Sequence, residues 1–322
     1  MVNLAITYQS QGRWKEAEEL QVQVIKVRKQ VLGPEHPDTL TSMANLALAY
    51  WNQGRWDEAE QLEAQVLEAR VAVLGDKHPS TLTSRTNLAF IYQIQGRLKE
   101  AEELEVQVME ARKAVLGDKH PSTLNSMANL VFIYQRLGQW KEAEELGMQV
   151  IEFRKQVLGP EQPDTLTSMT NLAFIYQIQG QWKKAEELDM QVMEVRKRIL
   201  GPEHPDTLTS TANLASTYQN QGRWKEAEEL SVQVMEVRKR ILGSEHPDTL
   251  TSMENLAFIY QNQGRWKEAE ELSVQVMEVR KRILGPEQPD TLTSMANLAS
   301  NYQSQGRWKE AEELQARGLR HA

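Results

Sequence analysis

A single spacing of 42 residues governs the whole chain. The dipeptide Asn-Leu recurs with this step, and a tyrosine and a glycine keep the same step. The recurring asparagines are Asn3, Asn45, Asn87, Asn129, Asn171, Asn213, Asn255 and Asn297. No insertion interrupts the series, so the 322 residues make seven full periods and a partial eighth. The length alone would suit two globular domains, but a fixed period of this size predicts a solenoid of stacked units.

Each period carries the apolar pattern of two helices. In residues 247–285, Met253, Leu256 and Tyr260 are spaced for one helical face, and Gly264 ends that helix. A second set of apolar residues then follows at steps of three or four, with glutamates near its start and basic residues near its end. That order of charge complements the dipole of a helix. We call the two predicted helices of a period helix A and helix B.

The start of helix A is predicted from the residue that follows the recurring proline. This residue is always Asp or Ser, and both offer a short oxygen acceptor to the free N–H groups at a helix start. We therefore expect this Asp or Ser to cap helix A, and a glycine to follow helix B. The chain is expected to form one domain over residues 1–322, with helix pairs near 1–33, 38–75, 80–117, 122–159, 164–201, 206–243, 248–285 and 290–322.

The repeated motif resembles a known family. Asn-Leu-Ala-x-x-Tyr-x-x-Gln-Gly-Arg-Trp-x-Glu-Ala-Glu is similar to the tetratricopeptide repeat (TPR), whose usual length is 34 residues. The longer period and the linker Leu-Gly-Pro-Glu-His-Pro-Asp resemble the kinesin-light-chain type, which also occurs in nephrocystin-like proteins and in fungal and bacterial NACHT or NB-ARC receptor-like proteins. The resemblance implies an all-α, right-handed TPR superhelix of antiparallel helix pairs, an α-solenoid. It also implies that helix A lines a concave groove that binds protein segments.

Charge and composition argue against several classes of partner. Asp and Glu number 45 against 37 Lys and Arg, and the resulting net charge of −8 does not suit binding to nucleic acid or to an anionic membrane. No apolar run approaches the roughly 20 residues of a membrane helix, and the first residues lack the pattern of a signal peptide. With no cysteine in the chain, we expect a cytoplasmic protein.

The sequence contains no pattern typical of an enzyme. A phosphate-binding loop, a Gly-x-Ser-x-Gly elbow and a His-Glu-x-x-His zinc motif are all absent. A histidine recurs in the linker, but Gln162 and Gln288 replace it in two repeats, so we expect a role in helix entry or linker packing rather than a metal site. The glutamate-rich runs of helix B are expected to form a solvated face. We therefore predict no catalytic residues, cofactor or metal.

The recurring asparagine lies on the side of helix A away from the core. With 100° per residue and Asn at 0°, the apolar core positions fall between about 100° and 160°. The positions four before, three after and seven after Asn fall between about −60° and −20°. Two interpretations stay open: the asparagines contact a ligand in the groove, or they only tie neighbouring repeats together.

Differences between the repeats point to the same stripe. The positions one before and three, four and seven after Asn vary between repeats. Helix B also varies just after its leucine, at Gly147, Asp189 and Ser231, so the pattern is a bias toward one face. Change gathered on one face is typical of ligand selection, although relaxed constraint on a solvated face is the alternative. Trp51 is a further candidate, because every other repeat has Gln in its place. The predicted ligand residues are Asn45, Asn87, Asn129, Asn171, Asn213, Asn255, Asn297, Phe90, Phe132, Phe174, Phe258, Trp51, Gln93, Gln135, Gln177 and Arg136.

These observations favour a non-enzymatic scaffold that binds a peptide or protein segment in its groove. One alternative is the sensor or autoinhibitory arm of a larger receptor of the NACHT or NB-ARC type. The near-identical repeats favour this alternative, as does a chain that starts inside helix A and ends inside helix B. A second alternative is a cargo adaptor like kinesin light chain. The sequence leaves self-association open.

Overall fold

The computed structural model describes residues 4, 7, 8 and 11–319, and no strand occurs among them. Fifteen helices are bounded in this part of the chain, and they alternate between helix A and helix B. The A helices are Pro37–Asn52 (α2), Pro79–Ile94 (α4), Pro121–Arg136 (α6), Pro163–Ile178 (α8), Pro205–Asn220 (α10), Pro247–Asn262 (α12) and Pro289–Ser304 (α14). The B helices are Trp14–Val31 (α1), Trp56–Leu74 (α3), Leu98–Leu116 (α5), Trp140–Val157 (α7), Trp182–Leu200 (α9), Trp224–Leu242 (α11), Trp266–Ile283 (α13) and Trp308–Leu319 (α15).

Each helix A begins at the recurring proline, and in five of them the histidine before the proline is the cap. His246 has an extended backbone (φ −67°, ψ 139°), and the backbone N–H of Asp248 donates to its Nδ1 at 3.2 Å. The prediction that Asp or Ser caps this helix is therefore wrong. Of the two roles expected for the histidine, helix entry or linker packing, helix entry is the one observed. The capping histidines are His36, His78, His120, His204 and His246.

A glycine in the left-handed region joins helix A to helix B. Gly264 has a φ of 76°, which only glycine adopts without strain. The N–H of Arg265 donates back to the carbonyl of Tyr260 at 2.8 Å, the six-to-one bond of a Schellman motif. The turn is so short that α13 begins at Trp266 and packs directly on α12.

Helix B of one repeat packs antiparallel on helix A of the next. Arg28, near the end of α1, donates to Ser42 Oγ near the start of α2 at 2.8 Å, whereas Glu18, near the start of α1, accepts from Gln53 just after α2 at 3.1 Å. The arginine–serine bond recurs along the chain. From the sequence we expect such arginines only to complement the helix dipole, so their bond to the next helix A is an additional role. Its donors are Arg28, Arg70, Arg112, Arg154, Arg196, Arg238 and Arg280.

The core uses the apolar positions that the helical spacing predicted. In α12, Met253 and Leu256 are 6% and 2% exposed, and Val276 of α13 is fully buried. Met253 and Val276 form one cluster with Leu250, and Met235 of the preceding helix B packs against it. Because each cluster takes side chains from consecutive helices, the burial of apolar surface holds each repeat to its neighbours.

One position that we assigned to the exposed stripe is buried. The residue four places after the recurring asparagine is at most 3% exposed in every described repeat from the second to the last. Helix A packs on its own helix B and on the helix B before it, so its buried arc is wider than that of a surface helix. Variation at this position therefore concerns packing. The residues are Ala49, Ile91, Ile133, Ile175, Thr217, Ile259 and Asn301.

Contacts divide the chain into two compact units, residues 1–168 and residues 169–322. Both units are built from the same alternation of helix A and helix B. One domain spanning residues 1–322 stays a prediction. In the described part of the chain, no helix combines the length and the apolar character needed to cross a bilayer.

Candidate functional site

The A helices present a ladder of exposed aromatic rings. Phe90 and Phe132 in the first unit are 42% and 48% exposed, and Phe174 and Phe258 in the second are 47% and 52% exposed. All four lie three places after the recurring asparagine, where the helical angles predict a stripe away from the core. We use the name A-helix face for the recurring asparagines together with the residues three and seven places after each. Apolar groups that repeat on such a surface mark an interaction site more often than they occur by chance.

A cavity of about 280 Å³ opens on the A-helix face of the first unit, between α2 and α4. Three of the predicted ligand residues, Trp51, Asn87 and Phe90, come together in its wall. The wall is mostly apolar, and helix B contributes a single carboxyl to it. The full lining consists of Ala47, Leu48, Trp51, Glu63, Asn87, Phe90 and Ile91.

Trp51 is held in the cavity wall by a second tryptophan. Its ring meets that of Trp56 edge to face, with centroids 5.8 Å apart and an interplanar angle of 74°. Aromatic pairs prefer this arrangement. The Nε1 of Trp51 is buried and has no acceptor among the described residues. Trp51 therefore contributes an apolar ring to the cavity, and its contact with a ligand stays a prediction.

Glu63 of α3 places its carboxyl in the cavity wall. The residue is 1% exposed, and its Oε1 accepts from Asn87 Nδ2 at 3.3 Å. Burial raises the pKa of Glu63, and hydrogen bonds from Ser84 and Asn87 together with the charge of Arg70 oppose this only in part. The guanidinium of Arg70 is itself occupied by Ser84 Oγ at 2.8 Å and by the carbonyl of Ser80 at 3.0 Å.

The second unit has a more polar cavity in the corresponding place, between α12 and α14. Its volume is about 350 Å³, and its lining includes the predicted residues Asn255, Phe258 and Asn297. Glu254, where other repeats carry Ala, Thr or Val, accepts two hydrogen bonds from Arg280 at 2.9 and 2.8 Å. Asn297 Nδ2 also donates to Glu254, at 3.4 Å. This cavity therefore holds a carboxylate that is already paired.

The recurring asparagines do not share one role. Asn87 and Asn129 donate to the buried carboxyls of Glu63 and Glu105 at 3.3 and 3.1 Å, so they tie helix A to the helix B of the previous repeat. Asn255, in contrast, is exposed and lines a cavity. The tie between repeats therefore has examples in the structure, whereas contact of the asparagines with a ligand stays a prediction. Among the others, Asn171 and Asn297 are exposed, whereas Asn45 and Asn213 are half-buried.

The remaining predicted residues lie closer to the repeat packing than we expected. Gln93 is only 4% exposed and cannot line an open groove, so its assignment to the ligand surface is corrected. Gln177 donates through Nε2 to Thr217 Oγ1 at 2.6 Å, which ties it to the next helix A. Arg136 is exposed and donates through Nη1 to the carbonyl of Gln93 at 2.7 Å. Gln135 is half-buried.

Comparison with known families decides the identity of the repeat. The family model described as "Tetratricopeptide repeat" matches residues 1–70, 45–114, 81–156, 124–198, 164–220 and 249–322, and a second model of the same description matches residues 207–248. The chain belongs to the tetratricopeptide repeat family. Its all-α repeat architecture and the resemblance inferred from the sequence are thereby confirmed. Comparison with curated protein sequences found no match.

Solved structures show which TPR proteins are similar. Two crystal structures of a putative kinesin light chain from Podosopora anserina, with nearly identical TPR-like repeats, are 41% and 39% identical, with TM-scores of 0.58 and 0.60. Each covers 64% of this chain, and the matches span 97% and 98% of those chains. The quorum sensor NprR from B. thuringiensis in its apo form is 14% identical, with a TM-score of 0.72 over 99% of this chain and 86% of its own. A signal transduction ATPase with numerous domains (STAND) from Pyrococcus horikoshii, which has a TPR sensor, is 16% identical, with a TM-score of 0.67 over 99% of this chain and 51% of its own. The last two similarities show the fold alone.

The TPR array carries buried polar groups that sequence reasoning missed. One position of helix B, four residues after a buried alanine, is polar and at most 6% exposed in six repeats. Burial raises the pKa of Glu105 and of Asp189 at this position. The sequence did contain a signal for this position. It lies four residues after the buried alanine, and residues four apart share one face of a helix, so it belongs to the buried side of helix B. The residues are Gln21, Glu63, Glu105, Asp189, Ser231 and Ser273.

The arginine that precedes helix B forms a further recurring contact between neighbouring repeats. The guanidinium of Arg265 lies 4.0 Å from the ring centroid of Tyr260 and donates to Glu228 of the previous repeat at 2.6 Å and to Glu268 at 3.0 Å. The guanidinium therefore links the tyrosine of its own repeat to a glutamate of the previous one. The expectation of a wholly solvated glutamate face is wrong, because the side chain of Glu228 is 24% exposed and bonded to the next repeat. The arginines at this position that reach the previous repeat are Arg55, Arg97, Arg223, Arg265 and Arg307.

Proposed function

We propose that the A-helix face binds a peptide or protein segment, so that the chain acts as a non-enzymatic scaffold for protein interaction. One observation carries the proposal: half-exposed phenylalanines recur on the A-helix face, and a cavity between α2 and α4 gathers Trp51, Asn87 and Phe90. TPR arrays are scaffolds suited to protein interaction. A partner that covered these rings would remove apolar surface from water, which is the main source of affinity at such contacts.

The chemistry of this face suits an extended segment. Asn255 and Gln261 line the cavity of the second unit beside Phe258. Each amide offers both donors and an acceptor, so it can pair with backbone groups of a bound chain, while the ring takes a side chain. Backbone pairing alone is tolerant of sequence, and specificity would come from the side-chain cavities.

The proposal is tested by replacing one ring of the ladder. Phe132→Ser copies Ser216 and Ser300, which occupy the same position in other repeats, so we expect the circular dichroism spectrum and the melting curve to stay unchanged. Peptides selected from a random library on the parent protein should bind Phe132→Ser about 1–3 kcal/mol more weakly, the usual loss for an aromatic anchor. Isothermal titration calorimetry measures this difference.

The matched control is an exposed apolar residue on helix B. Val115 of α5 lies in the same unit and is 57% exposed, against 48% for Phe132. Val115→Ser should leave peptide affinity unchanged. If Phe90→Ser and Phe132→Ser both bind as the parent does while Val115→Ser is impaired, the binding site belongs to helix B and the proposal is wrong.

Two kinds of larger protein remain candidates for the biological setting. A cargo adaptor is one, and the sensor arm of a receptor-like NTPase is the other. The near identity of the repeats does not favour the receptor, because the Podosopora anserina protein with nearly identical repeats is a putative kinesin light chain. The gene decides between them: heptad repeats next to the array would indicate an adaptor, and a phosphate-binding loop would indicate a receptor.

A further inference from the structure

The cavity between α2 and α4 has a composition that selects for one kind of side chain. It is walled by Leu48, Trp51, Phe90 and Ile91, and the carboxyl of Glu63 is its charged group. The inference that follows rests on the proposed function, since it concerns which side chain of a bound segment enters this cavity.

The walls favour a long side chain with an apolar stem. Leu48 and Phe90 are 51% and 42% exposed in the unbound protein, so a side chain that packs between them removes apolar surface from water. Two aromatic rings, Trp51 and Phe90, stand in the same wall. Aromatic faces attract cations through the quadrupole of the ring, and they attract a guanidinium more often than an ammonium.

The carboxyl of Glu63 forms no salt bridge among the described residues. It is removed from water and receives a hydrogen bond from Asn87. The charge of Arg70 acts on it, but the Nη1 of Arg70 donates to Ser84 and to the carbonyl of Ser80. Burial disfavours the ionised carboxyl more than the charge of Arg70 favours it, so a cation entering the cavity would stabilise the ionised form.

The second unit pairs a different carboxylate in its corresponding cavity. Between α12 and α14, Glu254 is bonded by Arg280, and their side chains are only 17% and 10% exposed. Arg280 has the place of Arg70 in its repeat, but Glu254 stands where the first unit has Ala44, and Ser273 stands where it has Glu63. The protein itself thus neutralises a half-buried carboxylate in such a cavity with an arginine, whereas the carboxyl of Glu63 forms no salt bridge among the described residues.

We propose that the cavity between α2 and α4 binds an arginine side chain of the recognised segment. The stem packs on Leu48 and Ile91, and the guanidinium lies against Trp51 and Phe90 and donates to Glu63. Arginine suits this site better than lysine, because its guanidinium is planar, more weakly hydrated and able to donate two parallel hydrogen bonds to one carboxylate.

The test compares peptide selections on the full chain and on two matched variants. A displayed random-peptide library is selected on the parent, on Glu63→Gln and on Glu105→Gln. Glu105 is the same residue one repeat later, equally buried at 1% exposed and bonded to Asn129, but it does not line this cavity. We expect the parent and Glu105→Gln to enrich arginine at one fixed position, and Glu63→Gln to lose that enrichment.

Affinity of a single selected peptide gives the second readout. Replacement of its fixed arginine by citrulline, which keeps the shape and removes the charge, should weaken binding to the parent by at least about tenfold, or about 1.4 kcal/mol. The same replacement should have little effect with Glu63→Gln. Replacement by lysine should weaken binding less than citrulline does. Trp51→Gln copies the residue of every other repeat and should also lower arginine enrichment, so the test stands if Glu63→Gln folds poorly.

The outcomes separate this inference from the proposed function. Peptides that bind the parent without a preference for arginine, or with a preference that Glu63→Gln keeps, overturn the arginine site and leave the scaffold function intact. Tight binding of the lysine peptide and loss of the arginine peptide would also overturn it. A parent protein that enriches no peptide at all contradicts the proposed function, and the inference with it.

Discussion

At the scale of single residues, the polar side chains buried between repeats differ in how well they are satisfied. Asn301 occupies the position that is isoleucine in four other repeats, and it is fully buried. Its Oδ1 accepts from Gln305 Nε2 at 2.8 Å, but its Nδ2 has no hydrogen-bond partner among the described residues. A buried donor without an acceptor destabilises the folded state.

Asn301→Ile should therefore stabilise the protein. The change removes an unsatisfied donor and restores the apolar group found at Ile259, and we expect the free energy of unfolding to rise by about 1–3 kcal/mol. Urea denaturation of the parent and the variant measures it. Ser300→Ala, at an exposed position of the same helix, serves as the control and should change little. A less stable Asn301→Ile would mean that the Nδ2 has a partner outside these contacts.

Buried carboxyls give the array a pH dependence of a defined sign. Burial raises the pKa of Glu105 above its ordinary value of 4.5, although hydrogen bonds from Asn129 and the charge of Arg112 oppose the shift. The folded state then holds the proton more tightly than the unfolded state. This tighter proton binding stabilises the folded state. Its contribution to the free energy of unfolding is fully present below the ordinary pKa of Glu105 and is lost as the pH rises through the raised pKa.

Glu105→Gln should remove this dependence. The amide keeps an acceptor for Asn129 and carries no charge, so its advantage over the parent should be small near pH 4.5 and grow toward pH 8, by about 1.4 kcal/mol for each unit of raised pKa. Urea unfolding at several pH values measures the difference. Glu103→Gln, exposed on the same helix, is the control. A variant whose advantage shrinks as the pH rises would contradict this account.

At the scale of the helices, the sequence predicted well which helices exist, their order along the chain and their lengths. It predicted the residues at which they begin and end less well. The 42-residue period and the apolar spacing were sufficient to place every bounded helix. The cap of helix A was misplaced by two residues, because both His246 and Asp248 can accept a hydrogen bond and composition alone does not say which one caps. The angular positions of residues on a single helix could not show that Ile259 is buried. They describe one helix by itself, whereas the burial of a side chain depends on the helices that pack against it.

The side-chain contacts between repeats are the other feature that the apolar and charge patterns of single helices could not predict. Arg265 reaches Glu228 of the preceding repeat while lying over Tyr260, and two repeats carry Gln139 and Gln181 in the place of this arginine. A partly buried ion pair on an aromatic ring stabilises more than an exposed ion pair does, since water screens it less.

Arg265→Gln, which copies those two repeats, should lower the free energy of unfolding by about 1–2 kcal/mol through loss of the ion pair and the cation–π contact. The control is Arg282→Gln. Arg282 pairs with Glu245 at 2.6 Å, but the two side chains are 61% and 51% exposed, so its loss should cost less than about 0.5 kcal/mol. Equal effects of the two changes in thermal unfolding would show that this arginine contact does not hold the repeats together.

At the scale of the whole molecule, stability is distributed along the repeats, and part of the variation between them lies on the A-helix face. Within each of the two compact units, the repeats pack on their neighbours in the sequence, so the stability of a unit is expected to be the sum of repeat and interface contributions. The exposed phenylalanines were predictable from helical angles. The cavity was not, because it depends on Trp51 of one repeat and on Phe90 and Asn87 of the next, together with a carboxyl from helix B.

The central claim is that a bound segment lies on the A-helix face, and site-specific photo-crosslinking tests it most directly. The photoreactive residue p-benzoylphenylalanine replaces Phe132 in one protein and Val115 in another, and each is irradiated with a peptide selected on the parent. The account predicts a cross-linked peptide from the protein labelled at position 132, and none from the protein labelled at position 115. A cross-link from position 115 with none from position 132 would place the segment on helix B and contradict the account.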